Sequence, residues 1–112
     1  MPASVYAVAC LGCRGQVAVP VFRGGGFYNF GTYRGATTGA FYRVDLDRLF
    51  YLKLDLKMTL HRVAAEWEGG FPLEQVPDGM RCPRCRELLG LSEADLSTMV
   101  PPEESSVDAV LI

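Results

Sequence analysis

The chain holds four cysteines, and all of them fall in two pairs of equal spacing, Cys10-x-x-Cys13 and Cys82-x-x-Cys85. Two residues between thiols let a tight turn aim both sulfurs at one ion. Two such turns supply four thiolates in a tetrahedron, the closed arrangement of a structural zinc site. There is no fifth cysteine and only one histidine, so a single Zn²⁺ per chain uses the inventory with nothing left over. An iron site with the same four ligands is the first alternative. Disulfides and a redox dithiol are the others, but a bridge within Cys-x-x-Cys is a redox type, and a thioredoxin-like centre uses one pair at a helix start. Four thiolates leave no open position for water or substrate, so the expected task of the metal is to hold the fold.

The segments Cys10-Leu11-Gly12-Cys13 and Cys82-Pro83-Arg84-Cys85 resemble the metal knuckles of zinc ribbons and rubredoxin-like proteins, the second in the Cys-Pro-x-Cys form common in ribbons. The resemblance implies a pair of knuckles around one metal and covers about fifteen residues of the 112. It departs from the pattern twice. The glycine that often follows the second cysteine is Arg14 in one knuckle and Arg86 in the other, and 68 residues separate Cys13 from Cys82. A metal across that separation closes a long loop, and its binding free energy becomes folding free energy. The residues between the knuckles are therefore expected to form the body of the protein, with the metal as its clasp.

Arg14, Arg81, Arg84 and Arg86 flank the knuckles. A zinc ion with four thiolates carries a formal charge of about −2, and guanidinium groups beside it compensate that charge. The functional reading of the same four residues is contact with phosphate groups, which Arg binds in bidentate fashion. Between Gly24 and Gly39 lie six glycines interleaved with rings and arginine. Phe27, Tyr28, Phe30, Tyr33 and Arg34 are the candidates there for an exposed partner surface, since Tyr, Phe and Arg are enriched at protein interfaces. The same mixture suits stacking on nucleic-acid bases, and the plain alternative is that the rings pack back on a sheet. His61 lies off the apolar stripe of a helix and reads as a surface residue. No nucleophilic triad, carboxylate pair or phosphate-binding Gly-Lys loop is legible, so neither catalysis nor a small-molecule substrate is expected.

Positioning these residues takes a set of short elements. Ser4 to Cys10 and Gln16 to Arg23 alternate in period two and flank the first thiol pair, which makes that pair the turn of a hairpin. Pro20 places the second strand at an edge or at a bulge. Residues 24–39 read as a loop with a short strand around Phe27 to Phe30. Ala40 to Leu46 and Leu49 to Met58 read as strands joined at Asp47-Arg48, the second on five alternating apolar residues from Phe50 to Met58. Thr59 then caps a helix over 59–68 whose stripe is Leu60, Val63, Ala64 and Trp67, ended by Gly69-Gly70. Glu87 to Leu91 reads as the start of a short helix, and Ser92-Glu93-Ala94-Asp95 as a capping box for another. The expected fold is a small α+β domain over residues 1–100, mainly antiparallel sheet with one or two short helices and a zinc clasp. Residues 101–112 are expected to form an extended C-terminal arm. Pro101-Pro102 hold it straight, and apolar Val110 and Ile112 suit addition to the sheet edge of a neighbouring subunit.

Composition narrows the function classes. Apolar residues are 49% and charged residues 21%, which suits a globular fold. Net charge is −2, so the chain is no generic polycation. Its distribution is uneven: residues 1–65 carry eight basic and three acidic side chains, residues 66–112 three basic and ten acidic. No apolar run reaches the length of a membrane span. The apolar stretch from Val5 to Leu11 has no positive charge before it, so it is not expected to be a secretory signal. A reducing, cytoplasmic setting or a particle assembled there is expected. The leading expectation is a non-enzymatic interaction module, a structural or accessory subunit of a larger protein assembly such as a virion. A nucleic-acid-binding regulator comes second and an iron electron carrier third.

Overall fold

The computed structural model describes residues 2–22, 29–100 and 102–112. The fold is α+β. Seven strands lie in two sheets, with three short helices among the described residues. Contacts gather in two compact units. One holds residues 2–22, 75–100 and 102–108, the other residues 29–74 and 109–112.

The first unit is built on the expected hairpin. β1 (Pro2–Ala9) and β2 (Gln16–Phe22) pair antiparallel, with Ala9 opposite Gln16 and Ala3 opposite Phe22. Val8, Val17 and Val19 are buried, as period two requires of one inward face. β2 is an edge of the sheet, where Pro20 removes no bond the sheet needs. On the other side of β1 lies β6 (Glu103–Ser106), also antiparallel. Met80, Cys82 and Leu96 are among the most buried side chains. Leu96 belongs to α3 (Glu93–Ser97), which begins with the expected capping box. Ser92 Oγ accepts from the Asp95 N–H, and the Asp95 carboxylate accepts from the Ser92 N–H. The helix expected to start at Glu87 is absent. Arg81 and Leu88 form an antiparallel bridge and Leu89 donates to the Met80 carbonyl, so the chain leaves the second knuckle as a hairpin arm.

In the second unit β3 (Phe30–Arg34) pairs antiparallel with β4 (Phe41–Asp45). β5 (Glu74–Gln75) lies beside β3, and β7 (Ala109–Leu111) runs parallel to β4. The strand expected over 49–58 is instead two helices, α1 (Leu46–Tyr51) and α2 (Leu56–Trp67). Each is started by an aspartate. The Asp45 carboxylate accepts from the Arg48 N–H at 3.0 Å and the Asp55 carboxylate from the Met58 N–H at 3.1 Å. These caps satisfy helix donors that a strand would not present. The buried set confirms helical spacing: Leu46, Leu49, Leu56, Leu60 and Val63 face inward or half-inward, while Phe50, Leu54 and Met58 are exposed. Thr59 is not the cap; it is buried and its hydroxyl donates to the Asp55 carbonyl. α2 ends at Glu68 before Gly69-Gly70, as expected.

The C-terminal segment pairs within the chain. Residues 103–106 extend the β1 sheet, 109–111 extend the β4 sheet, and the Ile112 N–H donates to the Arg43 carbonyl. Ile112 packs on the Tyr33–Val44–Leu49 cluster and Val110 is 37% exposed. The sequence reading expects these residues to add to a neighbour's sheet. They add to edges of their own chain, which offer the same backbone bonds without the entropy of association. No helix among the described residues is long and apolar enough to cross a membrane.

Candidate metal centre

The hairpin turn between β1 and β2 and the turn after Met80 bring Cys10, Cys13, Cys82 and Cys85 together within the first unit, their sulfurs all within 4.8 Å of one another. None is in a disulfide. Cys10 Sγ lies 3.4 Å from Cys85 Sγ, and Cys13 Sγ lies 3.7 Å from Cys82 Sγ. A tetrahedron with metal–sulfur bonds of about 2.3 Å has edges of about 3.8 Å, so four thiolates at these separations fit one ion. Cys10 and Cys82, the first residue of each pair, are buried; Cys13 is exposed and Cys85 intermediate.

The two turns share one backbone design. Cys10 N–H donates to the Gly15 carbonyl and Arg14 N–H to the Cys10 carbonyl, both at 2.8 Å. Cys82 N–H donates to the Glu87 carbonyl at 2.9 Å and Arg86 N–H to the Cys82 carbonyl at 3.0 Å. In each, the residue after the second cysteine closes the turn in the left-handed region, with φ of 60° at Arg14 and 66° at Arg86. That is the glycine place of the knuckle pattern, filled twice by arginine. A side chain costs about 1 kcal/mol there relative to glycine. The comparison of Arg14→Gly with Arg14→Ala isolates the backbone, because both variants lose the same charge. The glycine variant is expected to be more stable than the alanine variant by about 1 kcal/mol in denaturant unfolding of the metal-loaded protein.

Backbone amides and a guanidinium are aimed at the sulfurs. N–H groups of Cys85 and Arg84 hydrogen-bond Cys82 and hold its thiol down at about 6, against burial. The Gly15 N–H and the Arg84 side chain lower Cys13. For Cys85 the Glu87 N–H works in the same direction, but burial and the neighbouring thiols outweigh it and push the group up to about 11. Thiolates crowded together repel unless a cation joins them, which is the electrostatic condition a metal relieves.

Arg84 ties the two knuckles together. Its guanidinium donates to the Gln16 carbonyl at 2.9 Å and to the Cys13 sulfur. A Cβ on Gly15 would run into that guanidinium, and one on Gly12 would stand 2.6 Å from Glu87 Cγ. Both glycines leave room for side chains of the other knuckle to lie against the hairpin turn. Sequence reasoning did not identify either as part of the site; their place between and beside the thiols was the available signal. Arg81 donates to the Arg86 carbonyl at 3.0 Å. Arg14, Arg81, Arg84 and Arg86 are all exposed.

The other expected partner residues that are described lie on or beside the β3–β4 sheet. Phe27 and Tyr28 lie outside the described residues. Tyr33 is a core residue at 8% exposure, not the accessible ring expected, because its position on β3 points it into the Val44–Leu49 cluster. Arg34 pairs with Glu74 at 3.5 Å. Phe30 is half-buried beneath the Arg43 guanidinium, 4.4 Å from the ring centroid.

Fold and site together define a small α+β protein with a four-cysteine candidate metal centre. Comparison with models of protein families, with curated proteins and with solved structures finds no match for the chain.

Proposed function

We propose that the protein is a non-enzymatic, zinc-stabilised interaction module, a structural or accessory protein subunit of a larger assembly. The observation that carries this reading is the closed donor set: four sulfurs within 4.8 Å, from two knuckles whose cysteines lie 69 to 75 positions from those of the other. Four thiolates saturate a tetrahedral ion, so the metal joins the hairpin to the second knuckle and has no position for a reacting group. Zinc is favoured over iron because it is redox-inert and suits a centre whose task is structural. Cys10, Cys13, Cys82 and Cys85 would hold it, and the metal would supply cross-linking free energy to the fold.

Native purification from the cells that make the protein tests the assembly. The expected result is a zinc-loaded, colourless protein eluting with protein partners and free of nucleic acid at moderate salt. Co-purifying nucleic acid, bound less tightly as salt rises and released by Arg14→Glu with Arg81→Glu, would replace this reading with the nucleic-acid-binding one. A red iron-loaded protein would replace it with the electron carrier.

A further inference from the structure

We propose that the turn joining α1 to α2 is a docking groove for an acidic peptide segment that carries a large apolar anchor. This deepens the interaction-module reading and rests on it. The groove has a volume of about 800 Å³ and lies wholly within the second unit, lined by apolar Leu54 and Met58 together with Lys53, Lys57, His61 and Arg62.

Three features select the occupant. The first is apolar exposure that the fold does not use. Met58 is 72% exposed and Leu54 52%, and the adjoining Phe50 and Tyr51 are 87% and 85% exposed. Methionine at such a place adapts to anchors of different shape. The second is charge. Both lysines of the chain line the groove, beside Arg62, in a protein whose net charge is −2. The one acid there, Asp55, is engaged in capping α2 through the Met58 N–H. A partner is therefore met by three fixed positive charges against the single carboxylate of Asp55, and the complement of that excess is an apolar side chain flanked by carboxylates. The third is shape. The lining is an open trough formed by one stretch of chain, residues 53–62, along which an extended peptide can lie. The lining offers one ring, the His61 imidazole, whereas single-stranded nucleic acid is bound on several rings that stack successive bases.

Selection from a random 12-residue peptide display library against the intact, metal-loaded protein tests the proposal. The expected consensus is a large apolar residue flanked by Asp or Glu. Selected peptides should bind less tightly as salt is raised. Affinity should fall by roughly tenfold or more in Met58→Asp, and similarly in Lys53→Glu with Lys57→Glu. Both variants change exposed side chains, and unchanged metal content and circular dichroism verify their folding. An absent, neutral or basic consensus would overturn the proposal, as would equal binding by both variants. So would tighter binding to an oligothymidylate or to vesicles with anionic lipid, or a wild-type dimer that the lysine reversals dissociate. The two readings fail separately. A natively purified assembly retained in both variants removes the groove alone, whereas a wild type that purifies as a lone chain removes the module reading.

Discussion

Stripping the metal with a chelator is expected to unfold the protein's first unit, and Cys82→Ser is expected to do the same without a chelator. Cys82 is fully buried, and its N–H and carbonyl both bond within its own turn. Its sulfur faces Cys13 across the site at 3.7 Å. Without an ion, crowded thiols must either protonate or repel. The long loop they close is then left to the β2–β1–β6 sheet, the Arg84–Gln16 bond and the burial of Val19, Met80 and Leu96. The stabilisation lost is expected to match the whole stability of a small domain, about 5–15 kcal/mol, since metal binding free energy appears as folding free energy. Hydrogen exchange read residue by residue checks this. Amides of Val8, Val17, Val19 and Cys82 should lose protection together on chelation and regain it on adding zinc.

The second large effect is expected far from the thiols, at Glu68. This carboxylate is fully buried at the end of α2. Oε1 accepts from the N–H groups of Thr37 and Thr38 at 3.1 and 2.9 Å. Oε2 accepts from the Thr38 hydroxyl at 2.6 Å and from the Tyr42 hydroxyl. The Thr37 hydroxyl returns to the Glu68 carbonyl at 2.8 Å. Gly35 leaves the space, since a Cβ there would run into the carboxylate. Glu68→Ala strands the buried Tyr42 hydroxyl and releases the exposed Thr37 and Thr38 donors to water, and is expected to cost about 1–3 kcal/mol. Glu68→Gln keeps the shape and is expected to cost less, because the two hydroxyls can turn to accept. The pH dependence has a definite sign. Burial raises the carboxyl, but bonds from Thr38, Tyr42 and Thr37 outweigh it and hold it below the ordinary glutamate value. A depressed folded pKa contributes stability that is present above the unfolded value of about 4.3. That stability is lost as pH falls through the lower folded value. The stability gap between wild type and Glu68→Gln should therefore be constant from neutral pH to about 5 and narrow below about 4. A gap that widens in acid would show that the carboxylate is not held ionised by its donors.

The legible parts of this fold are those set by local chemistry. The thiol spacing brought the four sulfurs together because a Cys-x-x-Cys turn can aim both of its thiols at one point, and two such turns share it. The alternation of Val17 and Val19 against Val8 gave the hairpin, and Ser92 with Asp95 gave the capping box. Phe50 to Met58 misled because exposed Phe50, Leu54 and Met58 happen to alternate with polar residues, so residues free of the core imitated a strand face. Asp45 and Asp55, each placed before a helix, were the contrary signal. Glu68 gave no local sign, since a glutamate at a helix end ordinarily faces water. Its donors come from residues 26 to 31 positions away. Tyr33 was legible as an aromatic but not as core, because burial on β3 depends on which sheet face α1 covers.

The central claim is one zinc ion held by Cys10, Cys13, Cys82 and Cys85. Elemental analysis of the natively purified protein, with X-ray absorption at the metal edge, tests it most directly. The account predicts one zinc per chain and four sulfur neighbours at about 2.3 Å. A protein without stoichiometric metal, one loaded with iron, or a zinc ion with nitrogen or oxygen among its ligands would contradict it.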